Sequence, residues 1–361
     1  MHSYYYKDNL TALEAKFAAQ KLAFAPAAFQ TAKAMVDLHI LKAIEDSKTD
    51  GLTIEAIIKK TGLSSYAVKL LMEFSLGLEL IKIVPNSEPQ AYVLGKTGYF
   101  LLNDELTKAN MNFINDVCYQ GFFYLQDSLK TGKPAGLKVF GDWDTIYQGL
   151  SALPEQVQKS WFAFDHYYSD SIFGAALPIV FKENPRHIMD IGSNTGKFTK
   201  AALSYNNEVL VTMVDLAPQI AMAQNNPELE AFKNRIESYP TNILNHDEQL
   251  PSNVDTVWMS QFLDCFSLEE IQNILKKIKR CVPSDCNIFV LEPLWDMQRF
   301  EAASYSIQAT SIYFAAMANG NSKMYSYSDL VGAIEAVGCT LVRAHHNLGI
   351  NSYSLLQFHV S

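Results

Sequence analysis

Apolar residues recur at helical spacing over residues 31–45, where Ala34, Met35, Leu38, Leu41, Ala43 and Ile44 form one stripe. A second helix follows Leu52, with Thr53 in the capping position, and stops at Thr61-Gly62. Ser64 or Ser65 caps a third, whose apolar residues are Val68, Leu70, Leu71 and Phe74. Residues 80–84 and 91–94 are short β-type runs around the polar turn 85–89, the pattern of a hairpin. Three helices and a hairpin are the parts of a winged helix. Residues 101–181 then read as helical and are rich in aromatic rings, with a loop at 131–134 and a helix start at Pro154.

The second half alternates between the two periods. His187-Ile188-Met189 is a short buried-type strand that runs into Asp190-Ile191-Gly192-Ser193-Asn194-Thr195-Gly196, with helix-forming residues behind. Glycine lets a backbone turn sharply and approach a ligand closely, and the following helix N-terminus offers free N–H groups. Residues 208–215 form a second strand ending in Asp215, 19 residues beyond Gly196. An acid at that point, about 20 residues past the turn, is placed for the hydroxyls of a ribose. Its alternative role is to cap the helix that starts at Ala217-Pro218-Gln219. A weak strand at 235–239, another at 255–260, a helix at 268–280 ended by Pro283, and a strand at 287–292 complete the pattern. In open α/β sheets ligands sit outside the carboxyl ends of the strands. Asp190, Asp215, Asp264 and Glu292 are therefore expected on one rim.

Composition narrows the partners. A net charge of −9 over 361 residues argues against a nucleic-acid surface. The third helix agrees, since between Ser64 and Leu80 the only basic residue is Lys69, set against Glu73 and Glu79. The five cysteines are scattered and no histidine stands at zinc-finger spacing, so no metal site and a reducing, cytoplasmic compartment are expected. No signal-type or membrane-spanning run is present. Ser193 and Asn194 suit a pyrophosphate poorly, whereas an adenosyl cofactor without phosphates needs less glycine and fewer cations.

The order and spacing of these strings resemble one family over nearly the whole chain. It is the S-adenosylmethionine-dependent O-methyltransferases of the plant phenolic and bacterial polyketide type, which join a winged-helix-like dimerisation domain to a Rossmann-like catalytic domain. The matching strings include Ala34-Met35-Val36-Asp37-Leu38, Leu129-Lys130-Thr131-Gly132-Lys133-Pro134, Asp190 to Gly196, Val214-Asp215-Leu216, residues 259–267, Ala318-Asn319-Gly320 and Ala336-Val337-Gly338. The resemblance implies a dimerisation domain at 1–105, a helical connecting region at 106–180 contributing to pocket and dimer, and an α/β methyltransferase domain at 181–361. It implies a homodimer, no nucleic-acid or membrane partner, and a small aromatic acceptor.

Residue by residue, the resemblance puts Asp190, Gly192, Ser193 and Gly196 in the loop under the methionine part of the cofactor. It puts Asp215 and Leu216 at the ribose, Asn242 near the adenine where the family usually has aspartate, and Ser260 at the cofactor. Tyr305, Tyr313, Phe314 and Met317, on the helix before Asn319-Gly320, would line the acceptor pocket with His166 and Tyr167. The family's Leu-His-Asp-Trp string carries a histidine base; this chain reads Leu263-Asp264-Cys265-Phe266, so Asp264 stands in its place. Of two glutamates that orient the histidine, one corresponds to Glu292 and the other to Met324. Asp264 and Glu292 are thus the catalytic candidates, because like charges disfavour joint ionisation and one carboxyl of a buried pair can rise toward neutrality. The change equally permits C- or N-methylation, decarboxylation or hydroxylation, or a protein that binds the cofactor without turnover. His166 and His345-His346 are possible substitute bases, although packing or surface roles account for each.

Overall fold

The computed structural model describes residues 5–169, 172–245 and 247–360. They fall into two compact units that divide between Asn115 and Asp116, so the helical residues from 116 onward cluster with the α/β body.

In the first unit Thr53 accepts the N–H of Ala56 and Ser64 that of Ala67, capping helices Ile54–Thr61 and Ser65–Gly77. A small antiparallel sheet of β1 (Leu52–Thr53), β2 (Ile81–Ile83) and β3 (Ala91–Leu94) runs in the order β1-β3-β2. The single helix expected over 31–45 is two: Ala25–Asp37 and Ile40–Asp46, broken at His39, whose φ is +58°. Both pieces turn their apolar side to one core of Met35, Ile40, Leu41, Ile44, Ile57, Val68 and Met72, so the stripe hides the break. Helix Ala12–Ala23 was not legible in the pattern. Thr11 and Glu14 form a capping box at its start, but none of its residues is buried and no apolar face marks it.

The second unit is built on seven strands: β4 (His187–Ile191), β5 (Leu210–Asp215), β6 (Ile236–Pro240), β7 (Thr256–Ser260), β8 (Asn287–Glu292), β9 (Cys339–Leu348) and β10 (Tyr353–Val360). Their order is β6-β5-β4-β7-β8-β10-β9; the first five are parallel and β10 pairs antiparallel with both neighbours. The last two strands were not foreseen. Along β10 every residue from Tyr353 to Phe358 is buried, including Ser354 and Gln357, so the period-2 signal is lost. β9 is a polar edge strand carrying Arg343, His345, His346 and Asn347. Helices Leu268–Cys281 and Tyr327–Glu335 cover one sheet face with Ile271, Ile274, Leu275, Ile278, Leu330 and Ile334 in the main core.

Candidate active site

Because β4, β5, β7 and β8 are parallel and adjacent, their carboxyl ends share one edge, and Asp190, Asp215, Asp264 and Glu292 all lie at or just beyond those ends. The turn after β4 needs its glycines: Gly192 has φ +77° and Gly196 φ +80°, and a Cβ on Gly192 would stand 2.3 Å from the Phe262 ring. Asn194 adopts the same left-handed region at φ +48°, a conformation asparagine tolerates. Helix Lys197–Tyr205 starts at Gly196, and its Phe198 stacks on Trp258 of β7 with ring centroids 4.0 Å apart. That stack ties the helix N-terminus to the sheet. Below the turn Asp190 accepts the Thr199 hydroxyl at 2.7 Å, and burial pushes its carboxyl up to about 7 against the pull of that hydrogen bond. Ser193 Oγ is buried without a protein partner among the described residues.

Asp215 does not cap the next helix. Its Oδ1 accepts the N–H of Leu216 at 2.7 Å and its Oδ2 that of Asn194 at 2.8 Å, which pins the glycine turn to the tip of β5. Burial raises this carboxyl and the two amides lower it. Each oxygen keeps a further lone pair open to a hydroxyl donor. Thr241 N–H donates to Asp215 O, which brings Asn242 alongside; Asn242 is exposed and its Oδ1 holds the Leu244 N–H at 3.0 Å. Ser260 ends β7, half-buried. The left-handed turns, the unpartnered Ser193 hydroxyl and the open lone pairs of Asp215 fit an adenosyl group.

The two catalytic candidates meet at the ends of β7 and β8. Glu292 Oε1 accepts the backbone N–H of Phe262 at 3.0 Å and of Leu263 at 2.9 Å, while its Oε2 is buried with no hydrogen-bond partner among the described residues. Asp264 sits in the short 3-10 turn Leu263–Cys265 and is 5% exposed. Together with Pro293, Leu294, Met324, Tyr325 and Leu330 they line a void too small for water. Burial pushes the Asp264 carboxyl up to about 7, Asp165 adding to the rise, and holds Glu292 well above the carboxylate range with Asp264 as the next cause. Met324, at the position of the resembled family's second glutamate, adds no charge. Two residues that the sequence did not point to complete this corner: the Tyr147 hydroxyl donates to Cys265 Sγ at 3.1 Å, and Cys265 Sγ donates to Asp264 Oδ1 at 3.4 Å. Cys265 was adjacent to the motif, but nothing in the sequence marks Tyr147.

The aromatic candidates divide. Tyr313 is buried and its hydroxyl accepts Trp161 Nε1–H at 2.8 Å; Phe314 and Met317 are buried in the π-helical turn Phe314–Ala318. Met317 packs its sulfur against Gly121, where a Cβ would stand 1.9 Å from it. Tyr305, expected in the pocket, is 68% exposed on the outer side of helix Glu301–Tyr313. His166 and Tyr167 lie half-buried on helix Glu155–Ser169, His166 with its ring 5.9 Å from that of Phe162. The substitute bases on β9 are elsewhere: His346 Nδ1 is 2.9 Å from Ser354 Oγ, in the sheet. Among the described residues no group of three or more His, Cys, Asp or Glu is arranged for a metal.

An open sheet with this strand order, a glycine turn after its first strand and an acid at the tip of its second defines an α/β nucleoside-cofactor protein of the class I methyltransferase type. Residues 124–334 match the model of the O-methyltransferase domain, and residues 16–87 that of the Dimerisation2-like domain. The chain is 21% identical over 319 residues to an L-tyrosine C(3)-methyltransferase of Streptomyces lavendulae, covering 87% of this chain and 84% of that protein. The S-adenosylmethionine-dependent methyltransferase SibL, solved in its apo form, superposes with a TM-score of 0.72 at 18% identity, covering 95% of this chain and 98% of that one. An O-methyltransferase from neocarzinostatin biosynthesis, solved with S-adenosyl-L-homocysteine and 1,4-dihydroxy-2-naphthoic acid, gives 0.67 at 16% identity, covering 93% and 96%. The chain belongs to the O-methyltransferase-domain family: it is an S-adenosylmethionine-dependent methyltransferase, with a helical dimerisation domain ahead of its α/β catalytic domain.

Proposed function

We propose that the protein methylates the hydroxyl of a small aromatic acceptor and that Asp264, paired with Glu292, takes the hydroxyl proton. The observation that carries this reading is the Asp264 carboxyl: in the position of a missing histidine stands a buried acid pushed up to about 7. Burial, with Asp264 as the next cause, also holds Glu292 well above the ordinary carboxylate range, and two like charges in one buried corner disfavour joint ionisation of the pair. A base near 7 is far better matched to a phenol of pKa about 10 than an ordinary aspartate at about 3.9.

S-adenosylmethionine, when bound, supplies an electrophilic methyl group. Gly192, Ser193 and Gly196 are the proposed seat of its methionine part, Asp215 and Leu216 of its ribose, Asn242 of its adenine, with Ser260 beside them. Tyr313, Phe314, His166 and Tyr167 supply apolar and polar surface for the acceptor, consistent with the dihydroxynaphthoic acid bound by the neocarzinostatin enzyme. Once the acceptor is oriented, Asp264 needs only to receive its proton at Oδ, because positioning accounts for most of the remaining rate.

A second reading has one specific support, the tyrosine C(3)-methyltransferase relative. Transfer to a ring carbon requires loss of the proton on that carbon, for which Asp264 is the same candidate acceptor. Proton NMR of the product separates the two: an O-methyl singlet supports the first reading, and loss of an aromatic C–H signal the second.

For assembly we infer a homodimer through the first domain. Helix Ala12–Ala23 buries none of its residues, leaving Leu13, Phe17 and Leu22 exposed, and its domain matches a dimerisation-type model. Light scattering of the purified chain at twice the monomer mass supports this, and monomer mass at micromolar concentration contradicts it. The cytoplasm fits the five free cysteines, and no described helix is long and apolar enough to cross a membrane.

A further inference from the structure

We propose that Cys265 and Tyr147 are positioning residues for Asp264: a half-buried chain of donors, Tyr147 hydroxyl to Cys265 thiol to Asp264 Oδ1, orients that carboxylate and favours its ionised form. The inference rests on the reading of Asp264 as proton acceptor. Both links are within hydrogen-bond reach for sulfur, at 3.1 and 3.4 Å, and each proton points toward Asp264.

The chain is anchored at both ends. Asn319 Nδ2 donates to Cys265 O at 2.6 Å and the Tyr325 hydroxyl to Phe266 O at 2.7 Å, which fixes the turn carrying the thiol. Tyr147 stands on the four-residue helix Ile146–Gly149, and the Trp143 ring lies so close to Gly149 that a Cβ there would be 2.4 Å from it. The helix turn that carries the phenol is thus packed against an indole.

The alternative is that the thiol and phenol merely fill space. Two observations favour a working role. Glu292, the residue expected to orient the base, has Oε1 occupied by the amides of Phe262 and Leu263 and makes no hydrogen bond through Oε2 among the described residues, so its side chain does not hold Asp264 by a hydrogen bond. The groups that act on Asp264 from neighbouring elements are Asp165 on helix Glu155–Ser169, Glu292 on β8, and the phenols of Tyr147 and Tyr325; none is a cation. Asp165 opposes ionisation; the Cys265 thiol is the side chain whose hydrogen bond supports it, ahead of the backbone N–H groups of Asp264 and Cys265.

The test uses the full-length protein with Cys265→Ala, Cys265→Ser, Tyr147→Phe and Asp264→Asn. First, the Asp264 carboxyl is titrated in cofactor-free protein by carbon-13 NMR, its resonance assigned as the one lost in Asp264→Asn. Cys265→Ala is expected to move that titration up by about half a pH unit or more, Tyr147→Phe by less in the same direction, and Cys265→Ser to restore most of the wild-type position. Second, the infrared S–H band that disappears in Cys265→Ala should shift to higher frequency in Asp264→Asn, because its acceptor weakens. An unmoved titration in folded Cys265→Ala, or an S–H band indifferent to Asp264, overturns the proposal. If Cys265→Ala does not fold, the serine and phenylalanine variants and the S–H band decide. Third, the acid limb of kcat/KM should follow the titration. If that limb is unchanged in Asp264→Asn, Asp264 is not the base, and the NMR and infrared results still judge the positioning chain by themselves.

Discussion

Leu263 donates its backbone N–H to Glu292 Oε1 at 2.9 Å, and Phe262 shares the same oxygen. One side-chain oxygen on β8 thereby fixes the turn that presents Asp264. Replacing Glu292 with Gln keeps a carbonyl oxygen for both amides and should preserve thermal stability, whereas Glu292→Ala leaves two buried donors unpaired and should destabilise by about 2–5 kcal/mol. Differential scanning calorimetry of the two variants checks this, and equal melting temperatures would remove Glu292 from that structural role.

Gly192 combines a φ of +77° with a ring packed where a Cβ would be. Gly192→Ala should cost about 1 kcal/mol in backbone strain alone and displace Phe262 from the turn. The expected result in isothermal titration calorimetry is at least about a tenfold weaker Kd for S-adenosylhomocysteine. Unchanged affinity would mean the turn does not lie under the cofactor.

In the proposed cofactor site the remaining lone pairs of the two Asp215 oxygens take the ribose hydroxyls. Asp215→Ala should weaken S-adenosylhomocysteine binding by about 10- to 100-fold, in line with loss of hydrogen bonds to a charged acceptor. Since Asp215 also holds the amides of Asn194 and Leu216, the informative variant is Asp215→Asn, which keeps one carbonyl oxygen. It should bind better than the alanine protein and worse than wild type.

The raised carboxyls have a consequence for stability. Asp264 rises from an ordinary value of 3.8 to about 7 on folding, so the folded state holds the proton more tightly than the unfolded chain. Its contribution is fully present below about pH 3.8 and is lost as pH rises through about 7. Asp190 behaves in the same sense. Asp264→Asn should therefore fall less in stability between pH 4 and 7 than wild type does; chemical denaturation at a series of pH values measures it, and parallel curves would contradict the raised carboxyl.

The sequence exposed those features that repeat or sit at fixed spacing. The glycine turn, the acid tips of the parallel strands and the caps at Thr53 and Ser64 are local, and the structure has them where the pattern put them. What escaped depended on tertiary environment. Strands β9 and β10 lack alternation because one is a polar edge and the other is buried on both faces, polar residues included. Tyr305 and Met317 occupy equivalent-looking apolar positions near one another, yet one is at the surface and the other is wedged against Gly121. The link from Tyr147 to Cys265 spans 118 residues and leaves no local trace.

The central claim is that Asp264 has taken over the base function in an active methyltransferase. It is tested most directly by transfer of a labelled methyl group from S-adenosylmethionine to a panel of phenols, catechols and aromatic hydroxy acids, with wild type and Asp264→Asn side by side. The account predicts transfer to at least one phenolic acceptor, rising with pH through about 7, and a loss of about 100-fold or more in kcat for the variant with S-adenosylhomocysteine binding retained. Equal turnover by Asp264→Asn, or cofactor binding without transfer to any acceptor, would contradict it.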